Sequence, residues 1–308
     1  MRIVFMGTPQ AAVPTMRQCL DDGHEVVGVW TQPDRPSGRG HRVSFSPVKE
    51  FAVAHGLPIY QPARIKNDEA LSLFASHEAD VAVVVAYGRI LPDQFLKTPR
   101  RGCINVHFSL LPLYRGAAPA NWAIVKGESE TGVTTMFIEP TLDTGPILLQ
   151  SKTPIGASET APDLMDRLAE IGAELLGETL SRLDELRPQP QNDQDATFAP
   201  ILKKEDGLID WARTASEIDA RIRGFQPWPN AYTSLNAKGL TIWRAQPVSS
   251  ESEALPGEVV FAHGDDLIVS CGQQTALSLI EVQPEARKRM GVRDFLNGAH
   301  VKVGDRFG

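Results

Sequence analysis

Short, largely apolar runs at residues 3–6 (IVFM), 26–30 (VVGVW), 81–86 (VAVVVA) and 104–108 (INVHF) recur among stretches of helical periodicity, and no other pattern narrows the fold as much. Runs of this length are strand-sized, and a strand with one wet face would alternate apolar with polar residues throughout. These runs largely do not, so both faces must be covered, as in a parallel sheet flanked by helices. The rhythm predicts βαβ units: an α/β, doubly wound, mostly parallel sheet over residues 1–186. Residues 160–186 close that unit as a helix. Leu164, Leu168, Ile171, Leu175 and Leu183 follow helical spacing there, and Thr160 with Asp163 forms a capping pair.

The chain then changes character. Residues 187–205 open with RPQPQNDQDATFAP, which has little to bury and predicts a linker or an exposed crossover. Residues 206–308 predict a second unit, beginning with a helix over 214–224 started by Thr214-x-x-Glu217. Short strands follow around Tyr232 and at 240–243, 258–261, 267–270 and 276–282, with turn residues at 236–239 and 264–266, which predicts a small β-barrel. With 308 residues, 42% of them hydrophobic, the chain can supply two cores.

Thirty-one Lys and Arg against 38 Asp and Glu give a net charge of -7, so any nucleic-acid contact must come from local basic patches. Cys19, Cys103 and Cys271 are far apart and form no C-x-x-C pair, which fits neither a disulfide framework nor a structural zinc site. The N-terminal MRIVFMGTP enters a strand at once, and no stretch reaches about 18 apolar residues, so a soluble cytoplasmic protein without membrane contact is expected. No oligomeric partner is indicated, and a monomer is expected.

The chemistry-bearing segments are 102–116 (GCINVHFSLLPLYRG) and 142–146 (LDTGP). Residues two apart on a strand share a face, so Asn105 and His107 project together while Ile104, Val106 and Phe108 face the other way. Pro112 cannot continue a central strand, which puts the pair at the strand's C-terminal end, where open α/β sheets bind ligands. Singly, an Asn or a His in a strand is more often structural. Together they supply an amide donor and a switchable imidazole, the parts needed when an acyl group passes through an oxyanion. Asp143 can orient that imidazole or receive a proton, or serve as an ordinary turn residue before Gly145. Cys103 shares the face of Asn105 but lies roughly 13 Å along the strand from His107, too far for a thiol–imidazole pair, and is read as core. Gly7-Thr8-Pro9 is neither G-x-G-x-x-G nor a P-loop, so nicotinamide and ATP chemistry have little support.

Asn105-x-His107, Ser109-Leu110-Leu111-Pro112, Tyr114-Arg115-Gly116 and Leu142-Asp143-Thr144-Gly145 together resemble the signature of the 10-formyltetrahydrofolate-dependent formyltransferases. The resemblance implies a Rossmann-like formyltransferase domain with a C-terminal open, OB-like barrel. It also implies 10-formyltetrahydrofolate as formyl-donor cosubstrate, with no metal. Carried onto this chain, it makes Asn105, His107 and Asp143 the catalytic set and places Ser109, Leu110, Leu111 and Pro112 in the folate site. It further makes Ala86, Tyr87, Gly88, Arg89, Ile90, Leu91 and Pro92 the loop around the pterin ring. Phe108 stands where the family usually has a small residue; strand alternation turns it away from His107, so altered packing is expected there.

The acceptor separates members of this family. Residues 32–48 (QPDRPSGRGHRVSFSPV) carry three arginines against Asp34, a composition that by itself fits a solvated surface loop. TQPDRPSGRG followed by SPVK is similar to the loop with which the tRNA-formylating branch enters the acceptor arm of initiator methionyl-tRNA. That similarity implies Arg35, Arg39 and Arg42 as tRNA contacts and a weak first acceptor-stem pair being sensed, while Lys203 and Lys204, at the linker's end, are expected as tRNA contacts that add to the positive charge of the second unit; Ser44 and Phe45 depart from the loop's commoner residues. MRIVFMGTP, IDW at 209–211 and IRGFQPWP at 222–229 resemble the same branch, and positive charge gathers at 287–293, Lys302 and Arg306. Rival readings are a sugar-nucleotide formyltransferase, a formyltetrahydrofolate hydrolase and a non-catalytic RNA-binding protein on the same fold.

Overall fold

The apolar runs become the middle of a seven-stranded sheet. The computed structural model describes residues 1–37, 42–249 and 253–308. Its first unit comprises residues 1–119, 130–154 and 165–199, and its second 120–129, 155–164 and 200–308.

Along the first part of the chain the strands are β1 (Arg2–Gly7), β2 (Glu25–Trp30), β3 (Arg35–Ser37), β4 (Arg42–Ser44), β5 (Ile59–Tyr60) and β6 (Val81–Val85). Then come β7 (Cys103–His107), β8 (Arg115–Gly116), β9 (Glu130–Phe137), β10 (Ile147–Pro154) and β11 (Phe198–Ala199). The large sheet runs β10-β9-β7-β6-β1-β2-β5. β5, β2, β1, β6 and β7 are parallel, while β9 and β10 are antiparallel additions at one edge. Every residue of β6 is buried, the expected state of a strand covered on both faces.

The helices α1 (Val13–Asp21), α2 (Pro47–Ala54), α3 (Asp68–Ala75), α4 (Asp93–Leu96), α5 (Pro119–Val125) and α6 (Ala161–Ser181) alternate with these strands. α6 starts as its sequence predicts, with Thr160 N and Oγ1 donating to Asp163 Oδ2 at 3.1 and 2.6 Å. It ends five residues before the predicted limit of 186: the chain turns at Arg182, whose carbonyl accepts from Glu185 and Leu186, and Pro188 bars continuation. Phe108 lies on the α6 side of the sheet. A Cβ on Gly172 of α6 would stand 2.9 Å from Val106 and 3.6 Å from Phe108, so the large ring fits where that helix carries no side chain.

The chain moves outward from β1 to β2 and β5, then returns to β6 on the other flank of β1. That reversal opens a crevice at the strands' C-terminal ends. Polar groups tie its rim together: Thr8 Oγ1 and Gln32 Nε2 donate to Tyr87 O at 3.2 and 3.0 Å, and Gln32 N donates to Thr8 Oγ1 at 3.3 Å.

In the second unit α7 (Ala215–Gly224) is begun by the reciprocal Thr214–Glu217 bonds that its sequence predicts. β12 (Ala231–Leu235), β13 (Lys238–Val248), β14 (Val259–His263), β15 (Asp266–Ser270), β16 (Ala276–Pro284), β17 (Met290–Gly291) and α8 (Val292–Ala299) follow. The antiparallel sheet runs β12-β13-β16-β15-β14, with β17 on β16. Its two outer ends are joined by the C-terminal tail: Phe307 bridges Leu235 and Arg306 bridges Glu258, which curls the sheet toward closure.

Candidate active site

Asn105 and His107 sit on the last turns of the pleat of β7. Asn105 is in register with Val84 of β6 and Met136 of β9, and His107 with Thr134 of β9. Asn105 is half-buried, and none of the described residues hydrogen-bonds its side-chain amide. His107 is 6% exposed and Asp143 9%, so both are largely desolvated.

His107 Nε2 lies 3.0 Å from Tyr114 O. A carbonyl only accepts, so the network assigns a hydrogen to Nε2. Nδ1, the other ring nitrogen, lies 3.8 Å from Asp143 Oδ2. Asp143 Oδ2 accepts from Gly116 N at 2.8 Å, while Oδ1 takes no hydrogen bond from the described residues. The three side chains singled out in the sequence therefore come together, although Asp143 arrives from a loop 36 residues past His107.

Two loops deliver them. Residues 109–116 leave β7 and fold back on themselves: Ser109 Oγ donates to Leu113 O at 2.6 Å, and Leu111 N donates to Thr134 Oγ1 at 3.1 Å. Gln150 Nε2 donates to Leu111 O at 2.9 Å. Ser109 is fully buried and Leu111 nearly so, leaving Leu110 and Pro112 the more open members of the quartet. Gly116 closes this loop with a φ of +131°, and a Cβ there would lie 2.4 Å from Ala199 O. The second loop turns at Asp143, whose φ is +54°. Gly145 next to it packs so tightly that a Cβ would fall 1.8 Å from Phe137 O.

The segment 86–92 follows β6. Ala86 and Gly88 have φ of +46° and +82° and are exposed, whereas Tyr87 is buried with no partner for its hydroxyl among the described residues. Arg89 bonds Gln32 Oε1 at 3.2 Å and Pro62 O at 3.0 Å. Ile90, Leu91 and Pro92 line a cleft of about 440 Å³ together with Ile65, Phe95 and Pro140.

Burial pushes the Cys103 thiol up to about 12, and Sγ points at Phe95 O, 3.6 Å away. This is a core cysteine, as its position on the strand predicts.

Of the basic residues, Arg35 and Arg42 lie on β3 and β4, which pair antiparallel, and Arg39 lies outside the described residues. The base of that segment is held by an ion pair between Asp34 and Lys49, whose ammonium also stands 3.9 Å over the Phe45 ring. Lys49 and Gln61 hold the Asp34 carboxyl below the usual carboxylate range. Lys203 and Lys204, in the second unit, are exposed.

Sequence reasoning did not find the supports. Gln191 Nε2 donates to Asp143 O and Gly145 O, and Gln191 Oε1 accepts from the Arg115 guanidinium. Thr197 Oγ1 accepts from Tyr114 N at 2.8 Å. The only trace of Arg115 was its place in Tyr114-Arg115-Gly116, and Gln191 and Thr197 stood in a stretch whose composition suggested solvent.

The family model described as formyl transferase matches residues 1–180, and that described as formyl transferase, C-terminal domain, matches 201–300. The methionyl-tRNA formyltransferase of Alkaliphilus oremlandii is 45% identical over 310 residues, covering all of both chains. That of Koribacter versatilis is 51% identical over 311 residues, covering 100% of this chain and 99% of its own. Among solved structures, WlaRD, a sugar 3N-formyl transferase crystallised in the presence of dTDP and 5-N-formyl-THF, superimposes with a TM-score of 0.68 at 19% identity, covering 94% of this chain and 99% of that one. That last likeness is one of fold, while the family models and the full-length relatives reach to kinship. By them the chain belongs to the formyl transferase family, in its methionyl-tRNA formyltransferase branch.

Proposed function

We propose that the protein transfers the formyl group of 10-formyltetrahydrofolate to the α-amine of methionine esterified to initiator tRNA, giving N-formylmethionyl-tRNA and tetrahydrofolate. The observation that carries this reading is the meeting of Asn105, His107 and Asp143 at the C-terminal edge of β7, with the Asn105 amide unengaged among the described residues and the imidazole 3.8 Å from the carboxylate.

The residues present suit a folate. In the cleft beside the end of this segment, Ile90, Leu91, Phe95 and Pro140 offer apolar surface for a flat ring, and Asn67, Asp93 and Gln94 bring polar groups to the same lining. The bound folate supplies an N-formyl group, an acyl centre open to an amine. Asn105 Nδ2 donates to the formyl oxygen, where negative charge grows. Asp143 Oδ1 orients the incoming amine. His107 Nδ1 takes up the amine proton as the amine bonds to the formyl carbon, and the resulting imidazolium, held between Asp143 Oδ2 and Tyr114 O, returns a proton to the folate nitrogen as its bond to that carbon breaks. Burial of His107 and Asp143 limits competing water, and fixing amine and acyl group side by side supplies much of the acceleration.

Arg35, Arg39 and Arg42 engage the acceptor arm, and Lys203, Lys204 and the second unit add phosphate contacts. The enzyme works in the cytoplasm, where its two substrates meet; among the described residues no helix is long and apolar enough to cross a membrane. Competition between charged initiator tRNA and an amino-sugar nucleotide, read by labelled formyl transfer, tests the acceptor. Label in the nucleotide, or free formate with neither acceptor labelled, would replace this reading by a rival. Arg39→Ala and Arg42→Ala should each flatten the salt dependence of tRNA binding by about one log–log unit. An unchanged slope removes that arginine from the interface.

A further inference from the structure

Gln191 belongs to the stretch whose composition suggests a plain connection, yet its side chain makes three hydrogen bonds to the loops that carry the proposed chemistry. Nε2 donates to Asp143 O at 2.9 Å and to Gly145 O at 2.8 Å, and Oε1 accepts from Arg115 Nε at 3.0 Å. The amide orientation follows from chemistry: a guanidinium only donates, so the oxygen must face Arg115 and both amide hydrogens are left for the two carbonyls. Arg115, 5% exposed, is anchored in turn by Asp193 Oδ1 at 2.8 Å, two residues beyond Gln191.

We propose that Gln191 is a positioning residue for the carboxylate of Asp143. The two carbonyls it holds flank Thr144, so it fixes the backbone that leaves Asp143, a residue with a φ of +54°, in a region side-chain-bearing residues rarely enter. Gly116 N fixes Oδ2 of the same residue. With main chain and carboxylate each anchored, the side chain has one direction left, the one that sets Oδ2 3.8 Å from His107 Nδ1. Without the Gln191 anchor the carboxylate can swing about the Gly116 bond and lose its distance to the imidazole. Asp143 thus depends on residues that follow it in the chain by nearly fifty positions.

The inference rests on the formyl-transfer reading of this site, and the two fail differently. The full chain is assayed with 10-formyltetrahydrofolate and charged initiator tRNA as wild type, Q191E, D143A and D143A/Q191E. Q191E keeps the size of the side chain and an acceptor for Arg115 but cannot donate to either carbonyl. It should lower kcat by about 10- to 100-fold, with folate KM and tRNA affinity within about twofold, because only the alignment of reacting groups changes. On the D143A background the same substitution should add less than about twofold, since a residue acting through the carboxylate has nothing left to position. Q191M, of similar size and with no hydrogen-bonding group, repeats both measurements if the introduced charge unfolds Q191E. A normal kcat in these variants, or a loss that multiplies fully with D143A, overturns the assignment. A wild type that formylates nothing overturns the functional reading, and this one with it, before any variant is compared.

Discussion

The first unit gathers a cluster of buried polar groups where its strands end; the second packs a mainly aliphatic core and leaves most of its basic residues in solvent, its buried Asp219 being paired with Arg223. At the head of β7 the structure desolvates His107, Asp143, Ser109, Thr134 and Arg115. In the second unit, Ile242, Leu277 and Leu279 have no exposed surface, while Arg244, Arg289 and Arg293 stand in solvent. Buried polar groups are worth more and tolerate less, because each one left unpaired keeps its full desolvation cost. Exposed cations act at longer range and are screened by salt. The contrast implies that substitutions in the first region change turnover, and that substitutions of basic residues in the second change affinity.

The hardest test of that contrast is Asn105→Ala. Loss of one oxyanion donor lowers turnover by about 100- to 1000-fold in comparable sites, and the same is expected here with tRNA affinity retained. If affinity falls as far as turnover, the division of labour between the regions is wrong. Gly116→Ala should come next. Its Cβ would meet Ala199 O at 2.4 Å, so the backbone must shift and the bond from Gly116 N to Asp143 is lost. Turnover should drop by about 10-fold or more, with a lower melting temperature. Lys203→Ala and Lys204→Ala belong to the other side of the comparison. Each should weaken tRNA binding several-fold at low salt and lower the log–log salt slope by about one unit, leaving turnover at saturating tRNA alone. A fall in saturated turnover would place these lysines nearer the chemistry.

The smallest effect is expected at the cysteines. Burial pushes the thiols of Cys19, Cys103 and Cys271 up to about 12. Thiolate is the reactive form, so iodoacetamide at pH 8 should leave the folded protein unlabelled, and labelling should rise only as pH nears that value or as the chain unfolds. Cys103→Ala should keep turnover within about twofold, its cost confined to about 1–2 kcal/mol of packing. Rapid labelling at pH 8, or a large kinetic loss, would give Cys103 a role in the chemistry.

The alternation of apolar runs with helical spacing led to the large sheet because central strands have only one way to satisfy two covered faces. The β7 pair was legible for a related reason: a period of two places Asn105 and His107 on one side whatever else surrounds them. Phe108 followed the same rule and packs against the helix at Gly172. Asp143 needed the family resemblance, since nothing local says which face of which strand a loop carboxylate will meet. Gln191, Thr197 and the guanidinium of Arg115 were illegible. Gln191 and Thr197 bond main-chain groups of distant loops, which leave no mark in the identity of the residue that carries them, and the Arg115 guanidinium meets side chains more than seventy positions away.

Periodicity, caps and turn residues, all short-range effects of covalent geometry, were enough to specify strands, helices and the paired amide and imidazole. Which nitrogen of His107 faces Tyr114 O, the aim of the Asp143 carboxylate and the part taken by Gln191, Asp193 and Thr197 arose only on folding. Each depends on hydrogen bonds closed between segments tens of residues apart, and the angle and distance of such bonds exist only once the chain has brought those segments together.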